Sequence, residues 1–265
     1  MTIKTKAPAR VPAVRQALKI LRHLAKSPAP LGLSSISRET GLSASTCLNQ
    51  LRTLAEEDVV TFDPATKSYQ LGLGLLEISS SLISSDDVVL IRPLLKRIAL
   101  NYHALVTLWR LSSNGRLLLI DREYGNSPVR IEMRLGTRVP IYSGALGRSV
   151  AAATNPPIEE LRRDFDALRW QSPLLFEEFM EDVKTATKDG FGLDFGHWTR
   201  GVHAAGCVVL NASGIPTMAI GGLAIAGQLS VEEMHSLGGA LRDAAQLIER
   251  SLYSTISASS KQDLR

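Results

Sequence analysis

The sequence predicts an α+β protein in two parts: an N-terminal winged helix-turn-helix and a C-terminal domain with a mostly antiparallel sheet. Three patterns lead there. Two short amphipathic helices meet at a glycine between residues 34 and 55, and a strand–turn–strand pattern follows them. From residue 104 onward, strand patterns are broken by a helical middle and closed by a long final helix. The chain has 265 residues, of which 45% are apolar and 21% charged. That composition supports a packed core and excludes wholesale disorder.

The elements follow in order. From Val11 to Lys26 the apolar residues Val14, Leu18, Leu21 and Ala25 recur at helical spacing, widened by Ala17 and Leu24. Ser27-Pro28-Ala29-Pro30 ends this helix, because proline cannot continue the ladder. A short helix over Ser34–Thr40, with Ser34 as its expected N-cap, stops at Gly41, which suits a left-handed turn. Ser43 caps the next helix, whose inward stripe is Cys47, Leu48, Leu51, Leu54 and Ala55. Strands are expected at 59–62 and 69–71 around the turn residues Asp63–Ser68.

The expected division is a flexible basic N-terminus over 1–10, the winged module over 11–72, a linker helix over 73–85, the second domain over 86–254 and a flexible tail over 255–265. In the second domain a helix runs to about Tyr102 and is expected to kink at Pro93. Strands are expected at 104–112, 117–123, 129–134, 191–195, 203–210 and 216–225. Helices are expected at 144–153, 157–164, 174–188 and 230–253.

Charge is unevenly placed. The first 70 residues hold ten basic groups against five acids, and the remainder is nearly neutral. A basic module on a neutral body points to a polyanion partner. Two cysteines, Cys47 and Cys207, cannot build a disulfide framework, which places the protein in the cytoplasm. No run reaches the roughly 18 apolar residues of a spanning helix, so no membrane partner is expected. The five histidines lack metal-ligand spacing and no G-x-S-x-G elbow occurs, so neither metal, cofactor nor nucleophilic catalysis is expected.

Several segments resemble the IclR-type bacterial transcriptional regulators in order along about 11–254. They include Ile36-Ser37-Arg38-Glu39-Thr40-Gly41-Leu42-Ser43, Leu51-Arg52-Thr53-Leu54-Ala55-Glu56-Glu57, Tyr69-Gln70-Leu71-Gly72, Leu135–Arg148, Gly190-Phe191-Gly192-Leu193-Asp194 and Gly201-Val202. The resemblance implies a linker helix, a GAF-like effector-binding domain, and homodimers or homotetramers on palindromic double-stranded DNA. It also implies that Leu135–Arg148 and the 190–202 region line an effector pocket. Such proteins bind DNA and an effector without catalysis. The competing readings are a small-molecule enzyme with an accessory basic module and a protein-interaction adaptor.

Within this frame the recognition helix departs from the family by carrying no charge from Ser43 to Leu51. Base contacts then fall to Ser45, Thr46, Asn49 and Gln50, with Ser43 and Ala44 at the helix start also counted as DNA-binding; amide side chains can pair bidentately with adenine. Arg15, Arg38, Arg52 and Lys67 would grip phosphates. Asp58 stands where a glycine is common in the family, and aspartate tolerates the left-handed conformation. The expected effector residues are Trp109, Met133, Tyr142, Ser143, Gly144, Ala145, Leu146, Asp194, Phe195, His197, Trp198 and His203. After Asp194 the family's acids are replaced by rings, histidines and Arg200, and Ala204 stands where a cysteine is common. That exchange favours a flat aromatic carboxylate, stacked on rings and held by His197, His203 or Arg200.

Overall fold

The structure is a computed structural model that describes residues 11–75, 78 and 86–253. The chain divides into two compact units, residues 1–85 and 86–265. The linker helix expected over 73–85 lies largely outside the described residues, as do residues 1–10 and 255–265.

In the first unit α1 (Pro12–Leu24), α2 (Leu33–Thr40) and α3 (Ala44–Glu56) pack beside a three-stranded antiparallel sheet. Its strands are β1 (Leu31–Gly32), β2 (Val60–Asp63) and β3 (Ser68–Leu71), in the order β1-β3-β2. Ile20, Leu24, Ile36, Cys47, Leu51, Val60 and Tyr69 form the core. The contact line of α1 thus runs through Ile20 and Leu24. Val14 and Leu18 are exposed instead, because the apolar arc of α1 is wider than the surface its neighbours cover. The N-cap of α2 is Gly32 rather than Ser34, since the chain enters that helix directly from β1. Gly41 turns left-handed with φ 67°. Asp58 does the same with φ 54°, and its carbonyl accepts from the Gly74 N–H at 3.0 Å.

The second unit is built on a six-stranded antiparallel sheet in the order β6-β5-β4-β9-β8-β7. The strands are β4 (Leu105–Ser112), β5 (Arg116–Tyr124), β6 (Arg138–Pro140), β7 (Gly192–Phe195), β8 (Val202–Leu210) and β9 (Pro216–Ile225). Alternation along the strands gives each face its own partners. Val106, Leu108 and Ile220 join the main core with α4 (Asp86–Tyr102) and α8 (Val231–Tyr253); α4 continues through Pro93. Trp109 and Ala219 turn to the other face and meet Leu146 of α5 (Gly144–Thr154). Helices α6 (Ile158–Asp166) and α7 (Phe176–Asp189) pack against α5 through Phe165, Phe176 and Phe179.

No strand forms at 129–134. That segment is irregular, and the edge partner of β5 is β6, with Leu118 opposite Arg138. Ile131 and Met133 are half-buried on one side of this loop while Val129 is exposed, so the apolar alternation does not mark a hydrogen-bonded ladder.

Candidate functional sites

The recognition surface begins at Ser43. Its hydroxyl accepts the Thr46 N–H at 3.1 Å, which fixes the first turn of α3. The Ser43 hydroxyl also donates to Thr46 Oγ1 at 2.8 Å and lies 3.0 Å from Ser45 Oγ. With Cys47 and Leu51 buried, Ser45, Asn49 and Arg52 fall on the outward face, and Thr46 and Gln50 on its flank. Among the described residues nothing accepts from the side-chain amides of Asn49 or Gln50. They are free to meet base edges.

The candidate phosphate contacts differ from one another. Arg15, Arg52 and Lys67 are exposed and form no described ion pair. Lys67 sits at the wing tip with φ 52°. Arg38 lies 3.5 Å from Glu39 and so carries a partly neutralised charge. The Ser35 hydroxyl, ahead of His23 and Arg38, holds the Glu39 carboxyl below its usual range. The wing turn is set by Asp63, whose carboxylate accepts the Thr66 hydroxyl at 2.6 Å and the Ala65 N–H at 2.9 Å. Those bonds lower its pKa.

In the second unit, a cavity of about 260 Å³ lies between the start of α5, the sheet and the loop 125–137. Eight expected residues line it: Trp109, Met133, Ser143, Gly144, Ala145, Leu146, Asp194 and Trp198. Two glycines permit this arrangement. A Cβ at Gly206 would stand 2.8 Å from the Leu146 N, so glycine there lets α5 press onto β8. A Cβ at Gly221 would stand 2.8 Å from Thr107 Oγ1. Thr107 instead donates to the Gly221 carbonyl at 2.9 Å and accepts from Trp109 Nε1 at 2.8 Å, which fixes the indole as a wall.

Ser143 is the N-cap residue of α5, yet its hydroxyl turns away and donates to the Pro140 carbonyl at 2.7 Å. No side chain caps this helix start. The first residues of this helix, Gly144, Ala145 and Leu146, line the cavity, and a helix N-terminus is an anion-favouring end. Asp194 is buried, but Arg148 Nη1 lies 3.1 Å from its Oδ1 and balances its charge. Its Oδ2 accepts the Trp198 N–H at 3.1 Å, which holds the second indole in place.

Four expected residues stand outside the cavity. Asp194 pairs with Ala204 across β7 and β8 on the cavity side, so the next pair, Phe195 and His203, points to the opposite face. Their rings meet edge to face at 5.1 Å. His197 lines a separate cleft with Arg148 and Asp182, its Nδ1 3.7 Å from Asp194 Oδ1. Tyr142 packs among the aromatic residues of α6 and α7, and burial raises its hydroxyl pKa. Arg200 is also elsewhere, donating to the Gln171 carbonyl at 3.0 Å. The cavity also takes in Ile131, Glu132, Ala205 and Leu223, which no sequence pattern marked, and Val139 and Val202, which lie in the family-like pocket segments without having been singled out.

A second cleft of about 250 Å³ lies beside Cys207, whose thiol burial pushes up to about 12. Its charged side chains are engaged internally: Arg242 donates to the Asp189 carbonyl, and Glu249 accepts the Leu210 N–H. The apolar cavity at the α5 start is therefore the stronger ligand site. Among the described residues no cluster of three His, Cys, Asp or Glu could hold a metal, and no helix is long and apolar enough to cross a membrane.

A winged helix-turn-helix with an exposed recognition helix, joined in one chain to a domain with an apolar cavity, defines a DNA-binding transcriptional regulator. The chain belongs to the IclR family: the "IclR helix-turn-helix domain" matches residues 13–64, and "Bacterial transcriptional regulator IclR C-terminal" matches residues 81–250. It is 25% identical over 251 residues to the "HTH-type transcriptional repressor AllR" of Salmonella typhimurium, covering 91% of this chain and 89% of that one. It is 26% identical to the "Glycerol operon regulatory protein" of Streptomyces coelicolor, covering 91% and 96%. An IclR regulator structure from Alicyclobacillus acidocaldarius shares the fold with a TM-score of 0.76 at 23% identity, covering 91% and 98%. An IclR homologue from Microbacterium hydrocarbonoxydans, complexed with 4-hydroxybenzoate, gives a TM-score of 0.72 at 17% identity, covering 91% and 98%. The family and these relatives are transcriptional regulators, not enzymes.

Proposed function

We propose that this regulator binds a palindromic operator as a homodimer or homotetramer in the cytoplasm, and that a flat aromatic carboxylate in the α5 cavity changes its operator affinity. One observation carries the effector class: an uncapped helix start opens onto an apolar cavity walled by Trp109 and Trp198. The N–H groups of that start stabilise a carboxylate, and the two indoles supply surface for a ring. The histidines and Arg200 have no part in this reading. The solved IclR homologue that holds 4-hydroxybenzoate supports it, because the folds superpose over nearly the whole chain.

The test is operator binding by fluorescence anisotropy with 4-hydroxybenzoate, benzoate and small aliphatic acids. Aromatic acids are expected to shift operator affinity, and by linkage the operator shifts aromatic-acid affinity by the same factor. A response to aliphatic acids alone overturns the reading.

A further inference from the structure

The loop 125–137 contributes one charged residue to the cavity wall, Glu132. It is held from behind by three groups. Arg122 Nη2 lies 3.0 Å away, the Tyr124 hydroxyl donates to it at 2.8 Å, and Arg130 Nε stands 3.9 Å off with its guanidinium 4.3 Å above the Tyr124 ring. Two guanidiniums therefore share a single carboxylate. Arg122 also keeps a buried Nη1 that donates to no described residue.

The sheet register decides where Arg122 points. It is paired with Thr107, so both side chains leave the sheet on the face that carries Trp109. The neighbouring acids are on the other face, where Arg92 Nε is 3.0 Å from Asp121 and Lys96 is 3.3 Å from Glu123. Neither is available to neutralise the surplus charge, which stands behind Glu132 and meets the cavity wall only through it.

We infer that Arg122 receives a second acidic group of the effector, and that Glu132 is the protein's own substitute for that group. The effector class is then a flat molecule with an acid at each end, such as an aromatic dicarboxylate. This rests on the reading above, in which the first carboxylate sits at the start of α5. Exchange of one carboxylate for another keeps the guanidiniums balanced and gives the Arg122 Nη1 an acceptor. Glu132 is already half exposed and moves into water at little cost. A mono-acid engages only the α5 end.

Calorimetry on the full chain with benzoate, benzene-1,4-dicarboxylate and 4-carbamoylbenzoate tests this. The wild type is expected to bind the dicarboxylate about tenfold more tightly than either mono-acid, as one charge-assisted contact implies. Glu132→Gln removes the internal competitor and widens that preference. Arg122→Met abolishes it while benzoate affinity holds. Equal affinities for the three probes in the wild type, no widening in Glu132→Gln, or a uniform loss in Arg122→Met each overturn the inference. Benzoate binding without dicarboxylate preference sinks only this step; no binding by any of the three sinks the cavity reading as well.

Discussion

Arg148 Nη1 lies 3.1 Å from Asp194 Oδ1, and the two side chains are 0% and 2% exposed. The same nitrogen donates to the Gly144 carbonyl at 3.0 Å, and Arg148 Nε reaches Asp182 at 2.9 Å. Asp194 meanwhile holds the Trp198 N–H. One buried ion pair thus ties the start of α5 to β7 and to the loop carrying an indole wall. Both sides of the cavity depend on it.

Breaking that pair from one side leaves a charge buried and unpaired. Arg148→Met is expected to cost about 3–5 kcal/mol in denaturant unfolding. Adding Asp194→Asn to it should recover part of the loss, because the stranded charge is then gone. Additive losses in the double-mutant cycle would contradict the coupling.

Gly221→Ala tests the fit of the cavity wall. Its Cβ would meet Thr107 Oγ1 at 2.8 Å and Trp109 Nε1 at 3.6 Å, so the bonded pair must shift. Overpacking of this kind costs about 1–3 kcal/mol. Aromatic-acid binding should weaken, while operator affinity without the acid stays unchanged. Calorimetry and anisotropy on the same preparation read both.

Cys207 offers a pH test. Burial, ahead of Glu249, moves its thiol from an ordinary 9.0 to about 12. Between those values the unfolded chain releases this proton and the folded chain keeps it. Folding stability contributed by the neutral thiol is therefore present below pH 9 and falls as pH rises towards 12. Cys207→Ala should flatten the decline in unfolding free energy between pH 8.5 and 10.5. An identical slope in both proteins would show that other groups carry it.

What could be read from the sequence was mostly local. Gly41 and Ser43 announce the turn and the cap by their own chemistry, and Gly144 to Leu146 stand out through the family-like segment that contains them. The failures arose where a residue's direction depends on a distant partner. Phe195 and His203 look like pocket rings until the pairing of β7 with β8 turns them away together. Glu132 had no motif to mark it; its position follows from Arg122 on β5, which is set by the pairing with β4. On α1, helical spacing identified an apolar arc that held Leu24 but not Ile20, and only the packing of α2 and α3 shows that the buried line runs through both.

The recognition helix gives the sharpest separation of roles. Asn49 is exposed on the outward face of α3, and its side-chain amide is unengaged among the described residues. An amide bidentate to adenine discriminates by about 1–3 kcal/mol, so Asn49→Ala should relax base preference at one or two operator positions. Random-sequence affinity should barely change. Arg52 lies on the same outward face with no described ion pair, so Arg52→Ala should weaken all sequences alike and reduce the salt slope by about one unit. Arg38 is partly neutralised by Glu39 at 3.5 Å, and its removal should reduce that slope less than Arg52→Ala does. Operator and random-sequence titrations across a salt series measure all three variants. Equal weakening of operator and random DNA by Asn49→Ala would place the reading face of α3 elsewhere.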